Sequence, residues 1–356
     1  MLSTYPIIAF VNRQGYTGSM QVITYPKNPF AQEAKRLAKK TGFRLGALLY
    51  TARHYGRQYR NAIYTGTFRG KPAVLKLYDE PQPTDEPRAL AAFHRSKRGR
   101  TLRAPKLYAS GIVSPTRGWL IMENLSGAGH FMHSPLSPVE REEFLRVFVA
   151  YRKSFPTKPH RPLTLLEQLP AHEYHTVRIS RWLQLAVDTE ISRPLRQQAL
   201  TGKEFAPLYE AALVFIRQEF KNRKMLWCHG HVKPKEIFRC ADGTYALTNF
   251  AHTRMYPEGY ELAFIIWADW MLPGNWRLPY TQWKQPIREW LKLIRPVARQ
   301  LGYKRVDALL HASMVERTLG AILADVEALD LPYPERRGRL KHLFRLLREL
   351  LNNSAF

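Results

Sequence analysis

Cysteine is almost missing from this chain: Cys228 and Cys240 are the only two in 356 residues. A single pair cannot build the cross-linked framework of a small secreted domain, and without a second pair a zinc ribbon is disfavoured. Such usage fits a reducing, cytoplasmic setting. Long apolar runs are also lacking. The start, MLSTYPIIAFVNRQ, has no basic segment followed by an apolar core, so no signal peptide is expected. The most apolar stretch, 262–272, contains Asp269, is too short to span a bilayer, and reads as a buried helix. Internal repeats and low-complexity tracts are absent.

Acids are scarce, and unevenly so. The first 78 residues hold one, Glu33, and none occurs from 87 to 122. The basic residues of those runs include Lys35, Arg36, Arg53, Arg57, Arg60, Arg95, Lys97, Arg98 and Arg103. The whole chain carries a formal net charge of +26 with a pI near 10.2. Such a field concentrates polyanions, and the expected partners are RNA, a ribonucleoprotein or a nucleotide. Tyr55, Tyr59 and Tyr64 interleave with the arginines and offer stacking surfaces for bases, or else cross-strand packing. Oligomeric state is not legible.

What is present describes an ordered protein. The hydrophobic share is 45% and the aromatic share 12%, and the length suffices for a core divided between two lobes. Residues 31–41 have helical composition and stop before Gly42. Strand-like runs follow at 46–55, 59–68 and 72–78, with a tight turn at Arg69-Gly70-Lys71. A helix is expected over 84–95 and two more strands over 105–113 and 118–122. Beyond Glu123 the pattern is helical: 137–155, opened by Ser137-Pro138 and early acids, then 173–200 and 205–222. Strands return between 225 and 254, and helices from 259 onward. The basic helix 339–351 carries Leu340, Leu343, Leu347 and Leu350. These either pack on the large lobe or form a membrane-surface stripe.

Four segments carry chemistry. Ala73-Val74-Leu75-Lys76 ends an apolar strand on a lysine. Glu86 opens the following helix. Gly118-Trp-Leu-Ile-Met-Glu-Asn-Leu125 is an apolar strand running into a linker. Cys228-His-Gly-His-Val-Lys-Pro-Lys-Glu-Ile-Phe238 precedes a turn at Asp242-Gly243 and the strand Ala246-Leu-Thr-Asn-Phe-Ala251; Tyr260-Glu-Leu-Ala263 follows. In this order and spacing they resemble the aminoglycoside phosphotransferase and choline kinase branch of the protein-kinase-like superfamily. The resemblance spans about 46–271. It implies an α+β bilobal fold: an extension over 1–45, a β-rich small lobe with one helix over 46–123, and a helical large lobe over 124–356. About a hundred residues between Glu123 and His229 leave room for the helical insertion of the small-molecule kinases.

The same resemblance assigns roles. Lys76 stands where a lysine grips nucleotide phosphates, Glu86 where its helix partner stands, and Glu123 in the adenine-binding hinge. Apart from the resemblance, Arg53, Arg57 and Arg60, in and beside a turn whose only glycine is Gly56, are expected either to hold an anion or to be solvated surface charges. The family pattern is His-Gly-Asp, four residues, Asn, a hairpin, then two apolar residues and Asp. Here His231 replaces the catalytic aspartate, Glu236 the metal-binding asparagine, and Asn249 the aspartate that bridges magnesium to the phosphates. An amide is a poor ligand for a hard dication. Loss of the base alone typically costs about 10²–10⁴-fold in rate. The expectation is therefore a pseudokinase that keeps ATP as a ligand with magnesium binding weakened. The alternative is an active small-molecule phosphotransferase with His231 as base and Glu236 as metal ligand. His252 and Arg254, just past Asn249, are either an anion site or plain surface charges.

Overall fold

The computed structural model describes residues 28–53, 59–80, 84–96, 101–125, 129–130, 135–192, 199–200 and 203–353. Residues 1–27 of the expected extension lie outside them, as do Tyr55, Gly56 and Arg57.

The first described helix, α1 (Ala31–Thr41), stops at Gly42, whose φ of 73° is a left-handed cap that glycine adopts without strain. Strand β1 (Phe43–Arg53) pairs antiparallel with β2 (Tyr59–Phe68), and β2 with β3 (Lys71–Asp79). Arg69 and Gly70 both have positive φ, 51° and 76°, the twist that a two-residue hairpin requires. Helix α2 (Glu86–Arg95) and the two-residue strand β4 (Leu102–Arg103) precede β5 (Leu107–Ile112) and β6 (Arg117–Glu123). These complete a five-stranded antiparallel sheet in the order β1-β2-β3-β6-β5. Ala34, Leu37 and Ala38 of α1 share one core with Ala73, Leu75 and Leu77 of β3. Residues 31–41, expected within an extension, are thus packed on the small lobe's sheet.

After the short strand β7 (Gly129–His130) comes α3 (Pro138–Ser154). At the expected Ser-Pro start, Ser137 and Glu140 form a reciprocal capping box: Glu140 N–H donates to Ser137 Oγ at 3.4 Å and Ser137 N–H to Glu140 Oε2 at 3.0 Å. Helices α4 (Ala171–Ser192) and α5 (Phe205–Phe220) lead into β8 (Met225–Cys228), β9 (Ile237–Arg239), β10 (Tyr245–Leu247) and β11 (Arg254–Pro257). One small sheet runs β4-β10-β9-β7, and β11 pairs with β8. Helix α6 (Tyr260–Ile266) widens into a π turn over Trp267–Met271, and α7 (Tyr280–Gln300), α8 (Val306–Glu327) and α9 (Tyr333–Leu351) close the chain.

Asp269 is buried, as the apolar run implied, and satisfied by the Leu136 N–H at 2.9 Å and the Trp290 indole at 2.8 Å. The membrane-surface option for 339–351 is overturned. Leu340, Leu343, Leu347 and Leu350 are all buried in the large core, and Arg339 reaches Asp325 in a buried two-pronged ion pair. No helix among the described residues is long and apolar enough to cross a membrane.

Candidate active site

Successive side chains of a strand point to opposite faces. On β3, Leu75 and Leu77 take the α1 face, while Val74 and Tyr78 pack with Leu120 and Met122 on the other. Lys76 belongs to this second face. It is 3% exposed, and its Nζ donates to Glu86 Oε2 at 2.6 Å. Burial pushes the Glu86 carboxyl upward, against the pull of Lys76. Helix α2, which carries Glu86, is pinned below by Phe93 against Phe250, ring centroids 5.3 Å apart. Thr84 Oγ1 donates to the Ala251 carbonyl at 2.8 Å in the same seam.

The loop after β8 depends on one glycine. Gly230 has φ 75°, and a Cβ there would lie 2.1 Å from the Tyr256 ring. Its N–H donates to Glu261 Oε1 at 2.9 Å. The His229 N–H donates to Tyr151 Oη at 2.7 Å, and that hydroxyl donates to the same Glu261 oxygen at 2.8 Å. Arg152 holds the other oxygen at 3.2 Å. One buried carboxylate thus braces the loop from beneath. The His229 ring sits edge-on to Tyr151, Phe155 and Phe250. Its Nε2 is 2.8 Å from the Thr248 carbonyl, which only accepts, so the proton is on Nε2 and Nδ1 accepts the His231 N–H at 3.3 Å. Burial lowers the His229 pKa to about 4.

His231, Glu236 and Asn249 do come together. Asn249 occupies the left-handed region, φ 60° and ψ 59°, which asparagine tolerates better than most residues. Its Oδ1 accepts from Lys76 Nζ at 3.3 Å; its Nδ2 lies 3.0 Å from Glu236 Oε1 and 3.3 Å from His231 Nδ1. Glu236 is also met by Lys233 Nζ at 3.4 Å and Thr248 Oγ1 at 3.2 Å. Burial works to raise the Glu236 carboxyl, but Lys233, His231 and Asn249 outweigh it and hold it well below the usual range. The His231 ring stacks on His252 at 4.2 Å and touches Phe264 at 4.9 Å. Burial, with Lys233 beside it, lowers its pKa to about 3. Among the described residues no group of three or more His, Cys, Asp or Glu is placed to hold a metal ion.

Two other expected positions stand differently. The Glu123 carboxylate is clamped by Arg103 at 2.7 and 3.0 Å and by the Lys106 N–H at 3.0 Å. Its side chain is therefore engaged within the protein. His252 is not a free surface charge: Arg60 donates to its Nε2 at 3.3 Å and to Glu80 at 2.6 Å. Burial lowers its pKa, with His231 and Arg60 adding to the effect. Tyr64, considered for base stacking, is 6% exposed and bonded to Asn28, and Tyr59 packs on the same core. Part of the acid-free basic run is also answered from elsewhere: Arg117 by Glu33, Arg103 by Glu123. Sequence reading missed Lys233, Thr248 and Phe264 as site members, though all three lie beside the motifs that drew attention.

The backbone decides the comparison. An aminopropanol kinase associated with a microcompartment superposes with a TM-score of 0.58 at 13% identity, covering 91% of this chain and 98% of that one. This chain has the protein-kinase-like fold of the aminoglycoside phosphotransferases and choline kinases. Choline kinase LicA from Streptococcus pneumoniae matches with a TM-score of 0.52 at 10% identity over 90% of this chain and 98% of its own. A thermostable mutant of aminoglycoside phosphotransferase APH(4)-Ia gives 0.51 at 14% over 87% and 98%. No family model matches the sequence, and no curated protein is similar to it in sequence. The kinase-like fold is therefore carried here by a sequence far removed from those of its structural neighbours.

Proposed function

We propose that this protein is a catalytically impaired, kinase-like binding module that holds a nucleotide by its phosphates. The observation that carries the reading is the hydrogen bond between Asn249 and Glu236 at 3.0 Å. It joins an amide and a single carboxylate where the family pattern has an aspartate and an asparagine. The buried Lys76–Glu86 pair is retained beside it. Two ammonium groups, Lys76 and Lys233, flank this cluster and suit a polyphosphate. Among the structural neighbours, LicA has been crystallised with AMP and a spectinomycin phosphotransferase with ADP.

Magnesium fits less well. The one carboxylate already faces Lys233, Thr248 and Asn249, and the amide oxygen faces Lys76. A hard dication would have to displace both ammoniums from the Glu236 and Asn249 oxygens. Glu236 and Asn249 remain the residues that would hold it, and its service would be to neutralise phosphate charge. An active phosphotransferase is the less favoured reading. Transfer would need His231 to take a hydroxyl proton, yet a base whose pKa is about 3 accepts protons poorly at neutral pH.

The test is a thermal melt of the full chain with ATP, once with magnesium and once with EDTA. A similar upward shift in both supports the proposal. No shift in either would sink it, and a shift only with magnesium would restore the active-kinase reading. Lys233→Gln should shrink the EDTA shift.

A further inference from the structure

A second polar cluster lies on the large-lobe side of Phe264, where α4, α6 and α8 meet. Phe264 touches His231, and the Arg317 guanidinium lies 5.6 Å from its ring. Arg317 also lies 4.8 Å from the Tyr260 ring and 5.8 Å from that of Trp267. Arg178 of α4 covers the Tyr260 ring at 5.0 Å and that of Trp182 at 5.4 Å. Tyr260, Phe264 and Trp267, spaced four and three residues apart, therefore line one side of α6 with two cations against it.

The charge here does not close. Glu316 is the one acid among these groups; it takes Arg178 directly, with His175 at 3.4 Å and Arg317 at 3.5 Å. His175 stays neutral, its pKa lowered by burial, so two permanent cations face one anion. Arg317 is 3% exposed; its Nε has no hydrogen-bond partner and its Nη2 has only the ion pair with Glu316 at 3.5 Å, while the buried Ser313 hydroxyl has no hydrogen-bond partner. Buried guanidinium N–H groups left unsatisfied are costly.

Space lies on the same face. Ser313, Arg317 and Gly320 fall four and three residues apart on α8, within one helical stripe. Gly320 is buried, yet a Cβ built on it meets nothing within 4 Å. A well-packed helix interface would fill that space with a methyl group or more. Trp182 and Trp267 are partly exposed and the Arg178 side chain is 14% exposed, which gives the cluster an edge toward solvent.

We infer that this face of α8 is a binding site for a small ligand that joins an oxyanion, carboxylate or phosphate, to a flat apolar body. The oxyanion satisfies Arg317 and Ser313 and balances the surplus charge. The flat body lies along Tyr260, Phe264 and Trp267 and occupies the space over Gly320. The site stands whether or not a nucleotide binds at Lys76.

Phenyl phosphate, inorganic phosphate and benzylamine titrated calorimetrically into the full chain test this. Phenyl phosphate should bind at least tenfold more tightly than inorganic phosphate, and benzylamine not at all. Gly320→Val, whose Cβ enters open space, should weaken phenyl phosphate at least tenfold and leave the ATP melt shift intact. Arg317→Met should do the same; should that variant fail to fold, Gly320→Val decides alone. Lys233→Gln, at the other site, should leave phenyl phosphate affinity unchanged. Equal binding of benzylamine, no binding of either anion, or affinity indifferent to Gly320→Val would overturn the inference.

Discussion

The Lys76 ammonium and the Glu86 carboxylate meet at 2.6 Å with side chains only 4% and 2% exposed. Removing one partner of such a pair strands the other charge in the interior, typically at about 3–5 kcal/mol. Lys76→Met should therefore lower the free energy of unfolding by that order in urea titrations. The double variant Lys76→Met/Glu86→Gln should recover much of it. With its carboxyl pKa already raised by burial, Glu86 in the single variant takes up a proton on acidification. The loss should accordingly be smaller at acidic than at neutral pH. Equal losses in the single and double variants would contradict the pairing.

Asn249→Asp places a second carboxylate where an amide now donates to Glu236 at 3.0 Å. Like charges so close raise one another's pKa, a cost of about 1–3 kcal/mol at neutral pH. The variant should melt lower than wild type in EDTA and regain the difference in magnesium. A melt unaffected by magnesium would mean that one aspartate does not recreate a metal site here.

His229 sets an acid limit. Its folded pKa of about 4 lies below the ordinary histidine value of 6.5. The neutral form is favoured in the native state, so its contribution is present above 6.5 and is lost as pH falls toward 4. Across that window the unfolded chain binds the extra proton, and stability should fall by up to about 1.4 kcal/mol per pH unit. His231 and His252 act in the same direction. His229→Gln, measured by urea unfolding from neutral to mildly acidic pH, should show a shallower slope.

Gly230→Ala combines a positive φ of 75° with a contact of 2.1 Å to the Tyr256 ring. Left-handed strain and overpacking together predict a loss of at least about 2 kcal/mol. The same substitution at Gly70, where nothing lies within 4 Å, meets only the first penalty. Comparable urea midpoints for the two variants would contradict the close approach at Gly230.

Much of this was legible in the chain. Strand periodicity located β2 to the residue, and Arg69-Gly70 marked its turn. Ser137 announced the start of α3. The residues singled out from Lys76 to Asn249 do lie together, Lys76 inside β3 and Asn249 just beyond β10, because strands and loops of one fold carry them. Other features left no local trace. The clamp of Arg103 on Glu123 joins strands of two different sheets, β4 and β6, through side chains whose pairing no periodicity encodes. Strands of two residues, such as β4 and β7, are too short to show alternation. The Arg178–Glu316–Arg317 cluster spans about 140 positions and is assembled solely by helix packing.

Strand β4 carries a consequence for dissection of the protein. Leu102 and Arg103 lie between α2 and β5, inside the small-lobe segment, yet they pair in parallel with Tyr245 and Ala246 of the large lobe. The Thr101 carbonyl also accepts the Tyr245 N–H at 2.8 Å. The two halves are therefore stitched by main chain as well as by the linker after Glu123. Cutting there would leave each fragment with a torn ladder, so co-expressed pieces should reassociate, and neither should behave as a clean, self-sufficient unit.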